Sequence, residues 1–216
     1  MGFESRDFIS YTSSPTAADR DGVCAAQTTA GAGDLVIAGA LAAGGIATFG
    51  EQQRVTLYSA ANLSGLTFTV YGATAFGDSI SEAIAGPNAG TVTTTANFKT
   101  VTRVATDGAV GTNVEVGNSA ALETKWIGLD WHRALKGISV ELSTGASLTY
   151  EVQYGARKRA NSSDPETSIL ALADGTLTAK TVNAGLVASI PYPLIRLKIT
   201  SFVSGTATLR VVESPA

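Results

Sequence analysis

Charge is the first thing this chain is short of. Only 15% of its 216 residues are charged, against roughly a quarter in an average globular protein. The net charge is −3, and the 15 Lys and Arg are spread along the chain. Binding driven by phosphate neutralisation needs a basic stripe, so no nucleic-acid partner is expected. The one basic run is Arg157-Lys158-Arg159, placed to meet an acidic patch on a partner protein. Cysteine is scarcer still. With Cys24 alone no disulfide closes within the chain, and the thiol is expected to be a small buried or half-buried side chain.

The single histidine, His132, narrows the chemistry further. Two-histidine zinc sites of the HExxH type and Cys-pair zinc motifs are both impossible. A Ser-His-Asp arrangement would have to use His132 with Asp130, yet no GxSxG elbow presents a serine. Asp130-Trp131-His132-Arg133 therefore reads as a loop, with Trp131 a candidate for partner contact. Gly31-Ala32-Gly33 starts a dinucleotide fingerprint, but Val36 stands where its third glycine belongs. No phosphate-cradling GxxxxGK[ST] occurs. Carboxylate pairs such as Asp78 with Glu82, or Asp107 with Glu115, read as solvated loop and edge-strand charges. No catalytic, cofactor-binding or metal-ligating residue is assigned, and no enzymatic activity or cofactor is expected.

Long apolar runs are missing too. The longest, Leu35 to Phe49, is interrupted by Gly39, Gly44 and Gly45. It is too short and too glycine-rich to cross a bilayer as a helix, and it reads as two strands joined near Gly44-Gly45. The first residues, Met-Gly-Phe-Glu-Ser-Arg-Asp, are polar, unlike a secretory signal. Arg6 occupies the position where a myristoylation signal carries Ser or Thr. No membrane partner is expected.

What the chain does have is Gly, Thr, Ala and Val, the composition of strands and tight turns. Apolar and polar residues alternate in Arg54 to Ser59, Leu66 to Tyr71, Phe98 to Val104 and Asn113 to Val116. Strands are also expected at Ile138 to Leu142, Leu148 to Tyr154, Leu177 to Val182, Leu194 to Thr200 and Ala207 to Val212. Period-two alternation turns one face to a core and the other to solvent or a partner. Ser79 and Glu82 have capping-box spacing, which predicts a short helical turn over Ser79 to Ala85. Asp164 to Leu172 is expected as a short capped helix.

The chain also resembles itself. VTLYS leading to GLTFTVYG in the first half parallels ISVELS leading to SLTYEVQYG in the second. Gly90-Thr91-Val92-Thr93 parallels Gly175-Thr176-Leu177-Thr178. FKTVTRV with TNVEVG parallels LIRLKIT with TATLRVV. The expected architecture is all-β: two tandem antiparallel β-sandwich domains, jelly-roll or immunoglobulin-like, related by duplication. The boundaries expected are an extended N-terminal arm over 1–21, a first sandwich over 22–118, a linker over 119–125, and a second sandwich over 126–216. Of the two tryptophans, Trp126 and Trp131, one is expected to plug the junction between the two units and the other to be exposed.

Several stretches, in order and spacing, resemble a class of small tailed-bacteriophage structural proteins. These are Ala25 through Leu35, Phe49 through Tyr58, Ser81 through Val92, Phe98-Lys99-Thr100-Val101, Trp126 through Asp130, and Leu148 through Tyr154. The resemblance implies a non-enzymatic role in the virion, assembled in the host bacterial cytoplasm. A capsid cement or decoration protein is the first expectation. Its partners would be the major capsid protein or other virion proteins, and it would form a homo-oligomer, a trimer by preference. A head–tail adaptor or tail component is a second expectation. A carbohydrate-binding host-recognition module is a third, of another class, although aromatics at 7% are few for a sugar platform.

Overall fold

In a computed structural model the described residues are 8–129, 135–155, 171–189 and 192–213. Every regular element among them is a strand. In chain order these are β1 (Phe8–Ser13), β2 (Asp19–Thr29), β3 (Gly33–Asp34), β4 (Ala42–Ala43), β5 (Ile46–Asn62) and β6 (Thr67–Ala73). They continue with β7 (Ser79–Ala85), β8 (Asn88–Thr106), β9 (Val110–Glu123), β10 (Ile127–Gly128) and β11 (Leu135–Leu142). The last are β12 (Ser147–Gly155), β13 (Ala171–Ala173), β14 (Ala184–Ser189), β15 (Leu194–Ser204) and β16 (Ala207–Glu213). The chain folds into two units. One is Thr16–Leu122; the other combines Met1–Pro15 with Glu123–Ala216.

The C-terminal unit holds a four-stranded sheet in the order β1-β16-β11-β14 and a second layer in which β10 pairs with β15, β15 with β12, and β12 with β13. Numbering its eight strands from one to eight along the chain gives orders 1-8-3-6 and 2-7-4-5. That is the wiring of a jelly roll, two Greek keys folded into a two-sheet sandwich. Its core is lined from the two layers by Ile138, Val140, Leu209 and Val211, and by Tyr150, Val152, Leu197 and Ile199, all buried.

The N-terminal unit has the same wiring with fewer, longer strands. The C-terminal half of β5 pairs with the N-terminal half of β8, Thr56 opposite Thr93 and Tyr58 opposite Thr91. The N-terminal half of β5 pairs with the C-terminal half of β8, Ala47 opposite Val101. β9 lies beside β5, β2 beside β9, β6 beside β8 and β7 beside β6. Splitting β5 and β8 at their bends restores 1-8-3-6 and 2-7-4-5. β3 and a β4–β5 hairpin are additions, the hairpin turning through Gly44 and Gly45 at φ +60° and +79°. Such a two-residue turn needs positive φ at both positions, which glycine supplies without steric cost. The core contains Phe49, Phe68, Phe98, Leu57, Val55, Val70 and Val104, all essentially inaccessible.

Where β5 and β8 pass from one layer to the other, the ladder breaks. Four residues of β5 and three of β8 slip out of register, and their polar groups are met by side chains instead. Thr94, itself buried, accepts the Val55 N–H through Oγ1 at 2.9 Å and donates to the Ala96 carbonyl at 3.0 Å. Glu82, on β7, accepts the Thr95 and Ala96 N–H groups at 2.9 and 2.7 Å and the Thr95 hydroxyl at 2.8 Å. Fully buried Gln53 donates to the Thr16 and Ser119 carbonyls at 2.9 and 2.8 Å, and accepts from the Asn118 amide at 3.3 Å.

Several expectations need correction. Residues 1–21 are not an arm over their described part. Phe8–Ser13 is β1, hydrogen-bonded to β16 from Phe8 opposite Val212 to Ser13 opposite Ala207, and β2 begins at Asp19. The linker expected over 119–125 is largely strand, because β9 runs on to Glu123. Ser79 to Ala85 is the strand β7, with every second residue exposed, and Glu82 serves a neighbouring strand rather than a helix cap. Leu177 to Val182 forms no strand beyond a bridge from Lys180 to Tyr150. The sixth strand of that unit is β14, for which no strand was expected. The helix expected over Asp164 to Leu172 falls almost wholly outside the described residues.

Replacing Gln53 with Leu removes the hydrogen bonds to the partly buried Thr16 and Ser119 carbonyls and the one from the Asn118 amide. At about 1–3 kcal/mol for such a deficit, chemical denaturation of Q53L is expected to show a lower midpoint for the N-terminal unit. Phe98→Ala, which opens a cavity, is expected to cost about 3–5 kcal/mol.

Candidate functional site

The outer face of the C-terminal unit's four-stranded sheet is the most distinctive surface among the described residues. Alternation builds it. On β11, Lys136, Ile138 and Val140 point inward and are buried, so Leu135, Gly137, Ser139 and Glu141 point out. Register then assembles rows across the strands. Val187, Gly137, Val212 and Phe8 fall in one row. Gly185, Ser139, Arg210 and Ser10 fall in the next but one along each strand.

The first row is apolar and open to solvent. Val187 is 75% exposed, Phe8 59% and Val212 36%, with Leu135 alongside at 52%. An exposed large apolar cluster is the informative kind of surface, because single exposed apolar residues are ordinary. Gly137 and Gly185 carry no side chains, so a shallow groove of about 410 Å³ runs between Val187 and Val212. Beside it, Glu141 and Arg210 pair at 2.8 Å. They are the only charged residues among those of the four strands that point outward. The Thr12 and Thr208 hydroxyls meet at 3.0 Å farther along. The face is thus neutral, apolar at one end and hydroxyl-rich at the other. That suits protein contact and offers no obvious group for bond-making.

None of the groups singled out in the sequence belongs to this face among the described residues. Arg157, Lys158, Arg159, Trp131 and His132 lie outside the described residues, as does Asp130. Trp126 is buried, at 5% exposed. It packs with Leu194, and the Arg196 guanidinium lies 4.3 Å from its ring centre. Arg196 is held by Glu123 at 2.5 Å and by Gln153 at 2.9 Å. Each suspected carboxylate has a structural tie. Glu82 bonds the β8 bend, and Asp107 accepts the Thr67 N–H at 2.9 Å, which holds its carboxyl below the usual range. Glu115 pairs with Arg20, and Asp78 approaches the Thr74 hydroxyl at 3.5 Å. Among the described residues no group of three His, Cys, Asp or Glu is placed to hold a metal ion. Arg20 also covers the Tyr58 ring and Arg103 the Tyr71 ring, at 4.3 and 4.9 Å, so these two rings each have a face engaged.

Sequence reasoning missed the apolar face. Phe8, Leu135, Val187 and Val212 are distant in sequence, and two of them lie on strands that carry no alternation signal of their own.

No family model matches the chain, and no curated protein sequence does. Among solved structures it is similar to the PBSX exported protein XepA. The two are 11% identical, the match covers 95% of this chain and 86% of that one, and the TM-score is 0.27. A likeness so slight does not bear on fold or role.

Two outcomes follow from the geometry. In the monomer, Val187→Ser is expected to change unfolding free energy by no more than about 0.5 kcal/mol, as for other exposed positions, while lowering fluorescence from a hydrophobic dye bound to the monomer's open face. Cys24 is fully buried and burial pushes its thiol up to about 12. The native protein is expected not to react with a thiol reagent at pH 8, with reaction appearing only in denaturant.

Proposed function

We propose that this chain is a non-enzymatic structural protein of a tailed-phage particle, and within that class a capsid cement protein that binds the major capsid protein and stabilises the head shell. The observation that carries the reading is the neutral, apolar outer face displayed on a jelly roll. A rigid sheet presenting open apolar surface suits permanent contact with other proteins. The resemblance of its sequence to small phage structural proteins supports the same reading. The fold alone would not, since jelly rolls serve many roles. Arg157, Lys158 and Arg159 add a basic element that would favour an acidic partner surface.

Purified protein mixed with emptied shells is expected to co-sediment with them and to raise their melting temperature. Particles made without the gene are expected to lose their heads at a lower temperature. Failure to bind shells, with shell stability unchanged on deletion, would remove the reading. Copy number separates the alternatives: a cement protein scales with the major capsid protein, whereas an adaptor or tail component is present in a small fixed number.

A further inference from the structure

We propose that the outer face of the β1-β16-β11-β14 sheet is an interface between copies of this chain. The inference rests on reading that face as a docking surface, and it names the occupant. Two features of the face fit a second copy in particular.

The first is shape. Adjacent strands lie about 4.8 Å apart, so Val187 and Val212 flank Gly137 with a slot about one side chain wide. Phe8 and Val212 form a ridge next to that slot. The same face therefore carries a projection and a recess of matching apolar chemistry. The ridge of one copy fills the recess of another, and the pairing of a surface with itself is the commonest basis of homo-oligomers.

The second is charge. The chain carries a net −3, so copies repel over most approaches. Here the outward-facing charges reduce to Arg210 and Glu141, which neutralise each other. A copy docked ridge-to-recess brings its own Arg210 over the β11 side of the face, where Glu141 stands one register step beyond Ser139. Each Glu141 then meets an arginine from both chains. A partner of strong single charge would gain nothing from this face; a second copy meets no opposing field.

The decisive measurement is the mass of the full chain in solution by sedimentation, compared with variants at the recess. A side chain at Gly137 meets nothing closer than the Val212 side chain at 3.9 Å within its own chain, so Gly137→Arg is compatible with the fold yet fills the recess. Wild type is expected to sediment as a multiple of 22.0 kDa. G137R and, independently, Val187→Asp are expected to weaken self-association by about tenfold or more, with circular dichroism and melting of the monomer unchanged. Glu141→Arg is expected to weaken it, and the double exchange E141R with R210E to restore it. A monomeric wild type, or G137R and V187D that both keep the wild-type mass, would overturn the proposal. Shell co-sedimentation reports separately. Shell binding by a monomeric wild type sinks this inference and spares the cement reading, and self-association without shell binding does the reverse.

Discussion

The N-terminal unit depends on one requirement. A long strand that leaves one sheet for another must not leave buried amides and carbonyls without partners. Each such group costs on the order of 1–3 kcal/mol. β5 and β8 make this passage side by side, and the slip in their register leaves several main-chain groups without a ladder partner. Thr94 takes the Val55 N–H and Glu82 those of Thr95 and Ala96, while Gln53, on β5 itself, ties the strand to the Thr16 and Ser119 carbonyls. With the bends satisfied, Phe49, Phe68 and Phe98 can close the space between the layers. Without them the two halves of β5 would lack a fixed relation, and so would the sandwich.

The C-terminal unit reaches the same wiring by a different route. There β14 and β15 are separate strands, as are β10 and β11, so the change of layer happens in connections. No polar side chains are called on to repair a continuous ladder. Buried Gln52, Gln53 and Thr94 stand at the bends of the N-terminal unit, whereas the buried Lys136, Gln153, Arg196 and Glu213 of the C-terminal unit lie within its strands. The freedom from internal repair also leaves the C-terminal unit's outer sheet plain, with glycines at Gly137 and Gly185 where bulk would otherwise sit.

Much of this was legible in the sequence. Alternation located the middle strands of both halves, and the glycine pair located the β4–β5 hairpin. The internal similarity was largely sound. VTLYS and ISVELS fall on equivalent third strands, GLTFTVYG and SLTYEVQYG on fourth strands, and the closing pairs on seventh and eighth. It failed at Gly175 to Thr178, because the sixth strand of the second copy is Ala184–Ser189, a neutral segment without clear alternation. β1 carries alternation only over Ile9-Ser10-Tyr11-Thr12, with apolar Phe8 breaking it on the outer side and polar Ser13 on the inner, so too short a stretch was left to read. β7 was misread because Ser79 and Glu82 have helix-cap spacing, while the bonds that Glu82 makes are with the next strand, to Thr95 and Ala96, rather than in its own turn. The apolar face was illegible in principle: it exists only once register has aligned four strands.

One consequence lies in how the chain is made. β1 leaves the ribosome well ahead of its partner β16. At 5–20 residues per second, roughly 200 residues of synthesis separate them by about 10–40 s. During that interval the N-terminal unit can complete itself, while an unpaired strand bearing Phe8 waits beside it. Translation order thus hands the cell a finished sandwich with a dangling edge, and the arrival of β16 decides whether that edge finds its own sheet or another molecule's.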